Sequence, residues 1–292
     1  MANTIELANK FLPIIDDIYK NSSFTDILNT TAINDFNGVN EIKVLKVNTT
    51  GLGDYSRVNG YPKGDITASW ETLKLTKERG KEISIDRMDN EETIGMTFGA
   101  VTSNFMKEWV VPELDAYRFS KYASTSNILT TDEAKLDKDT IINAIDSAIC
   151  ELDSNDVPYE NRVIFVNTDL KSALNQALVR NWGSDTNINT VIDSYNNIPV
   201  IYVPKNRFYT AIDLKDGSSE WGYSKNGSAK NINFMIIHKS AVVQVQKFVL
   251  PKIFSPDENQ TKDDWLFQFR LYHDAFIYDN KVKGVFLHKS TE

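Results

Sequence analysis

Between Ile94 and Phe119 the apolar residues Ile94, Phe98, Val101, Phe105, Trp109, Pro112, Ala116 and Phe119 recur every three or four positions. That spacing lines one face of an α-helix, and Asp89 followed by Glu92 resembles a capping box at its start. The run predicts one helix of about thirty residues, roughly 45 Å long at 1.5 Å per residue. Such a helix is long for a globular enzyme of 292 residues, where three or four turns are usual. Pro112 removes a backbone donor from its middle and predicts a kink there. The other elements of the chain must be arranged along this girder.

The stretch "GLGDYSRVNGYPKGD", residues 51–65, interrupts two runs with strand character, "EIKVLKVN" at 41–48 and "ITASWETLKLT" at 66–76. Ile42 and Val44 alternate on one strand, Leu73 and Leu75 on the other. A phosphate-cradling glycine loop needs a helix directly after it, whose N-terminal amides hold the anion. Here a strand follows, so the glycines read as the permissive tip of a long hairpin. Acids and bases alternate closely from 41 to 91, a pattern suited to a ribbon lying across an oppositely charged neighbour.

Elsewhere the chain divides by pattern. Residues 3–29 read as one or two short amphipathic helices on an arm, broken by Pro13. After residue 137 helix and strand alternate: a helix near 139–153, a strand "RVIFV" at 162–166, a helix capped by Thr168, and a strand "PVIYV" at 199–203. A hairpin excursion follows through "DGSSEWG", with an ordinary Asp216-Gly217 turn, and then strands "INFMIIH" and "AVVQVQ". The aromatic-rich tail reads as two more strands.

Candidate chemistry is sparse. Cys150, the single cysteine, precludes an intrachain disulfide and a thiolate-based zinc site, and reads as a small buried hydrophobe on a helix face. His238, His273 and His288 lie far apart in strand-like segments, without the spacing of a metalloprotease helix or a nucleophile elbow. The acidic run at 255–265 reads as a solvated linker rather than a metal site. No catalytic, cofactor or metal residues are expected. The formal charge of −8, from 40 acids and 32 bases, opposes tight binding to nucleic acid or anionic lipid. No signal peptide or membrane span is legible, so the chain is expected to be made and kept in a cytoplasm.

The blocks "GLGDYSR", "GDITASWETLKL", "RGKEISIDRMDNEET", "VVPELDAYRFSKYA", "IPVIYVPKNRFYTAIDL", "NINFMIIHKSAVVQVQK" and "KIFSPDENQTKDDWLFQFRLYHDAFIYDNKVKGVFLH" resemble tailed-phage major capsid proteins of the Hong Kong-97 type. The likeness is to the branch found in phages and prophages of low-GC Gram-positive bacteria. It implies an α+β fold with five parts: an N-terminal arm (1–40), an extended β-hairpin loop (41–88), a peripheral domain with a long spine helix (89–136), an axial α/β domain (137–247), and a return to the peripheral domain (248–292). The tip residues Gly51, Gly53, Asp54, Tyr55, Arg57, Gly60, Tyr61, Lys63 and Asp65 would then contact an adjacent subunit. Pro112 would mark the spine kink. Ile5, Leu12, Ile15, Ile18, Phe24 and Leu28 of the arm would be exposed in a free subunit and buried on assembly.

The function implied is that of a non-enzymatic head shell subunit forming pentamers and hexamers around double-stranded DNA, in a virion assembled in a host bacterial cytoplasm. Its partners would be itself, a portal, the packaged DNA through weak contacts, and in some lattices a decoration protein. Many relatives begin with a helical scaffolding extension, whereas the arm here starts at Met1, so a separate scaffolding protein is expected. The name-giving coat protein cross-links a loop lysine to an asparagine of another subunit. Lys63 would be that lysine, but lysine and asparagine abound here and no such bond is expected. An encapsulin-like compartment subunit is the rival within the fold, distinguished by a cargo enzyme instead of DNA. A nucleotide-binding enzyme is the rival outside it, distinguished by a thermal shift with ATP, GTP or NAD.

Overall fold

The computed structural model of the chain describes residues 23–29, 41–58, 60–61, 63–88, 96–177 and 193–291. After a 3-10 turn at Asp26–Leu28, β1 (Glu41–Thr49) and β2 (Ile66–Lys74) pair antiparallel into a separate two-stranded ribbon, Glu41 opposite Lys74 and Thr49 opposite Ile66. β3 (Lys77–Asp86) follows directly but joins another sheet. The helical girder comprises α1 (Met96–Phe105), a π turn at Met106–Val110, and α2 (Val111–Ala123). The short β4 (Leu129–Thr130) leads to α3 (Ile141–Ser154), β5 (Arg162–Asn167) and α4 (Lys171–Ala177). There follow β6 (Ser194–Tyr195), β7 (Ile198–Val203), β8 (Ile212–Leu214), β9 (Tyr223–Lys225) and β10 (Ile232–His238). The chain ends in β11 (Val242–Phe254), β12 (Asp264–Ile277) and β13 (Val285–Lys289).

Two sheets carry the mass of the fold. One has six strands in the order β4-β13-β10-β5-β7-β6, with β5 parallel to β7 and β10 antiparallel to both β5 and β13. Every residue of β5 and β10 is buried, in keeping with their largely apolar sequences. Their alternate side chains serve opposite faces. Val163 and Phe165 pack with Phe119 and Tyr122 of α2, and Ile164 and Val166 pack with Ile141, Ile145, Ile149 and Leu152 of α3. The other sheet has the order β11-β12-β3. Its Phe267, Phe269 and Leu271 lie against Met106, Val110, Val111 and Leu114 of the girder, so the helix joins both sheets.

The helical pattern is interrupted in the turn that Pro112 disturbs. The irregularity is the π turn Met106–Val110, which runs without a break into α2 and contains Glu108, whose carbonyl lies four residues before Pro112 and gets no bond from it. The capping box at Asp89 lies outside the described residues. The segment 41–88 is not one hairpin. β3 pairs with β12 along its length, from Lys77 opposite His273 to Asp86 opposite Asp264, because its alternating side chains fit that sheet's edge. The tail also divides: β12 completes the three-stranded sheet, but β13 enters the six-stranded sheet between β10 and β4.

Three smaller corrections are local. Helix entry before α4 is capped by Asn167, whose side chain accepts from the Asp169 amide, rather than by Thr168. Cys150 is exposed, because the buried stripe of α3 runs through Ile145, Ala148, Ile149 and Leu152 and passes it by. The acidic run at 255–265 connects β11 to β12 within one sheet, and Ser255 closes it by donating from N and Oγ to Glu258 Oε2, both at 3.1 Å.

Candidate functional site

The β1–β2 ribbon is built differently at its two ends. Near its base, Ile42 and Leu73 are cross-strand partners, and with Leu75 they are buried against Val243 and Val245 of β11. Thr76 anchors the end of the ribbon, donating from N and Oγ1 to Asp274 Oδ2 at 3.0 and 2.9 Å. Beyond Glu71 the apolar residues change faces. Val47 stands opposite Ala68 and Thr49 opposite Ile66, on the face shared with Trp70 and opposite to that of Ile42 and Leu73. Here Val47, Ile66 and Trp70 are 50%, 72% and 63% exposed. The distal half therefore has an apolar face that none of the described residues covers.

The tip continues this exposure. Thr50 N donates to Asp65 O at 3.3 Å to close the ribbon, and Ser56 and Gly60 exchange backbone bonds of 3.1 and 2.7 Å around a tighter turn. Gly60 takes a φ of 80°, a left-handed conformation that favours glycine. The Tyr55 and Tyr61 rings lie 4.9 Å apart across that turn. Gly51, Gly53, Asp54, Tyr55, Arg57, Tyr61, Lys63 and Asp65 are exposed and Gly60 is half-buried. Sequence reasoning placed these nine residues on one loop. It missed Leu52 and Val58, which are exposed along almost their whole surface, and the Ile66–Trp70 face, which strict attention to strand alternation would have found.

A second apolar opening lies where the β8–β9 hairpin meets the girder. Phe105, Trp109 and Trp221 line a cavity of about 70 Å³, with Lys81 Nζ 4.7 Å from the Trp221 ring centre. Arg79 on its rim pairs with Glu113 at 2.6 Å and donates to Lys215 O at 2.6 Å. The space suits a side chain rather than a metabolite.

The arm departs from its expectation where it is described. Leu28 is 1% exposed in the single chain, packed in the core with Phe119 and Val242, and Phe24 lies partly buried beside it. Burial of these two does not await a second subunit, because the core of α2 and the six-stranded sheet already receives them. Ile5, Leu12, Ile15 and Ile18 lie outside the described residues.

The histidines are held by their strands. His273 is buried beside Tyr117, ring centres 5.1 Å apart, and burial, reinforced by Arg118, Arg79 and Lys77, pushes its pKa down to about 3. Burial also lowers His238 and His288, which contact Ser240 Oγ at 2.9 Å and Asn233 Nδ2 at 3.1 Å. Among the described residues no group of acids, histidines and cysteine has metal-site geometry, and no helix is long and apolar enough to cross a membrane.

No protein-family profile matches the chain, and no curated protein does. Solved structures do match. The capsid of Cyanophage P-SCSP1u superposes with a TM-score of 0.60 at 12% identity, covering 92% of this chain and 88% of that one. The mature capsid of bacteriophage PhiM1 gives 0.57 at 12% identity, covering 87% and 83%. A virus-like particle from Pyrococcus furiosus gives 0.60 at 11% identity, covering 97% and 99%.

Proposed function

From the Hong Kong-97-type capsid fold that these likenesses share with the chain, we propose that it is the major capsid protein of a tailed double-stranded-DNA bacteriophage. It self-assembles into the pentamers and hexamers of an icosahedral head that encloses the genome. The observation that carries this reading is the ribbon whose distal face and tip expose Val47, Leu52, Val58, Tyr61, Ile66 and Trp70. A monomer gains nothing from that construction, whereas a subunit that lays the ribbon over a neighbour buries it. The tip residues Gly51 to Asp65 then act as the intersubunit contact.

Other parts of the reading rest on the sequence blocks and on charge. The blocks support the branch found in phages and prophages of low-GC Gram-positive bacteria. A net charge of −8 favours weak, salt-sensitive contact with packaged DNA. A portal, a separate scaffolding protein and, on some lattices, a decoration protein complete the set of partners, and assembly takes place in the host cytoplasm.

Deleting residues 52–63 tests the reading. The folded unit should survive, because the tip adds little to any intrachain core, while stable shells should vanish from sedimentation and from stained images. Shells of normal stability would overturn it. A second reading, an encapsulin-like compartment subunit, is favoured by the end-to-end match to the Pyrococcus furiosus virus-like particle, 97% of one chain and 99% of the other. Assaying shells purified from their native source for nuclease-protected DNA or for a cargo enzyme separates the two.

A further inference from the structure

We infer that Asp115 is a positioning residue at which the segment 23–29, the spine helix and the six-stranded α/β unit are locked together, so that the state of the arm is sensed in the α/β unit. Asp115 is fully buried, and it faces donors from two distant parts of the chain. Its Oδ1 accepts from Ser23 Oγ at 2.7 Å, Thr25 Oγ1 at 2.7 Å and Thr25 N at 3.3 Å. Its Oδ2 accepts from Phe24 N at 3.1 Å and pairs with Arg207 Nη1 at 3.4 Å. Arg118, one helical turn on and on the same face, is 2% exposed and donates from Nη1 to Thr25 Oγ1 at 2.7 Å. From β11, Gln244 donates to Thr25 O at 3.1 Å.

Arg207 belongs to the 3-10 turn Lys205–Arg207, which follows β7. Its guanidinium lies 5.3 Å from the Phe24 ring centre, and its neighbour Phe208 stacks edge-on against Phe119 of α2, ring centres 5.0 Å apart. Arg207 thus reads the arm twice, through the carboxylate it shares with Ser23–Thr25 and through Phe24. Nε of Arg207 has no hydrogen-bond partner, so Asp115 and the Phe24 ring supply its main polar and cation–π contacts among the described residues.

The chemistry makes the coupling two-way. A buried carboxylate that loses its hydroxyl and amide donors must find compensation from the cation that remains or from water. Withdrawal of segment 23–25 would therefore pull Asp115 and Arg207 together or let water in. Either change shifts the turn at 205–207, and by linkage a change at Arg207 must loosen segment 23–25 by the same factor. The segment 23–29 is then a fixed point within the arm, and whatever is seated on the chain before Ser23 is felt through it. That last consequence rests on the shell reading, whereas the coupling itself does not.

Hydrogen exchange on the full chain tests the coupling in the free subunit. Thr25→Val keeps the shape of the side chain and removes the hydroxyl that serves both Asp115 and Arg118. It should raise exchange at least tenfold at the Phe24, Thr25 and Leu28 amides, and also at the Arg207 and Phe208 amides, which bond to Pro204 O and Lys205 O. The amides of α3 should not change. Arg207→Gln should produce the reciprocal rise at residues 24–28, and Thr25→Ser should restore exchange to near its original rate. Ser23→Ala, a milder change at the half-buried end of the network, should move both segments in the same direction by a smaller factor. A Thr25→Val protein with altered exchange at 24–28 and unaltered exchange at 207–208 would overturn the coupling, as would an Arg207→Gln protein with unaltered exchange at 24–28. Failure of the variants to form shells bears only on the shell reading.

Discussion

β10 and the β1–β2 ribbon are both made of strands, yet they contrast in almost every respect. Every residue of β10 is buried, with Phe234 stacked against Phe286 and His288 at 6.0 and 5.0 Å. In β2 the residues from Ile66 to Trp70 are all exposed. The first is stabilised inside one chain by partners on both faces. Among the described residues the second is held chiefly near its base, by Ile42, Leu73 and Leu75, with one exposed ion pair farther out, Lys46 to Asp279 at 3.5 Å. A strand's hydrophobicity thus has two outcomes here, one buried within the chain and one left exposed.

The contrast can be broken at several points. Phe234→Ala removes a fully buried ring from the six-stranded sheet and should lower stability by about 3–5 kcal/mol. Urea denaturation would show it, and a loss under about 1 kcal/mol would mean that the sheet is no better packed than the ribbon. Ile42→Ala, at the ribbon's base, should remove about 2–3 kcal/mol, with the loss visible as faster exchange of the β1 amides. His273 gives a pH-dependent version of the same test. Its folded pKa of about 3 lies below the ordinary value of about 6.5, so the unfolded chain takes up a proton that the folded chain refuses. Its contribution to stability is complete above about pH 6.5 and is lost as pH falls toward 3, at about 1.4 kcal/mol per pH unit. Between about pH 7.5 and about pH 5 the parent should lose about 2 kcal/mol more than a His273→Leu variant. Equal losses would mean that His273 titrates normally. The smallest effect is expected from Ile66→Ser with Trp70→Ser. Subunit stability should stay within about 0.5 kcal/mol while shell yield falls steeply, and a destabilised subunit would show that the distal face packs on its own chain.

The elements with strong local pattern were legible. The helix near 139–153 is found at Ile141–Ser154, and the strands expected at 162–166 and 199–203 are found at Arg162–Asn167 and Ile198–Val203, because short apolar runs and a 3.6-residue period are properties of the segment itself. Which sheet a strand joins is not such a property. β3 follows β2 after two residues yet pairs with β12, and β13 leaves β12's sheet for β10's. Both choices are made by partners far away in sequence. The Asp115 junction had a visible signal that went unused: a carboxylate among Val111, Leu114, Phe119 and Tyr122, on the buried side of an amphipathic helix. The exposed distal face had one too, since a ribbon whose apolar positions move from one strand parity to the other cannot lie flat on a single core.

The π turn at Met106–Val110 makes the girder a matter of counting. A π turn has one residue more than the α-helical turn it replaces, and each helical residue turns the chain by about 100°. Removing a single residue from this turn would leave a regular helix with α1 and α2 in nearly their present phase, whereas removing one from the regular turns of α2 would swing α1 by about that angle relative to the rest of α2. Phe105, which sits at the mouth of the Trp109–Trp221 cavity and packs edge-on against Phe267 and Phe269 at 6.3 and 5.9 Å, would be carried off the three-stranded sheet. In this chain the π turn is slack in the count: a residue lost there is absorbed without a change of bearing, and one lost from a regular turn is a rotation.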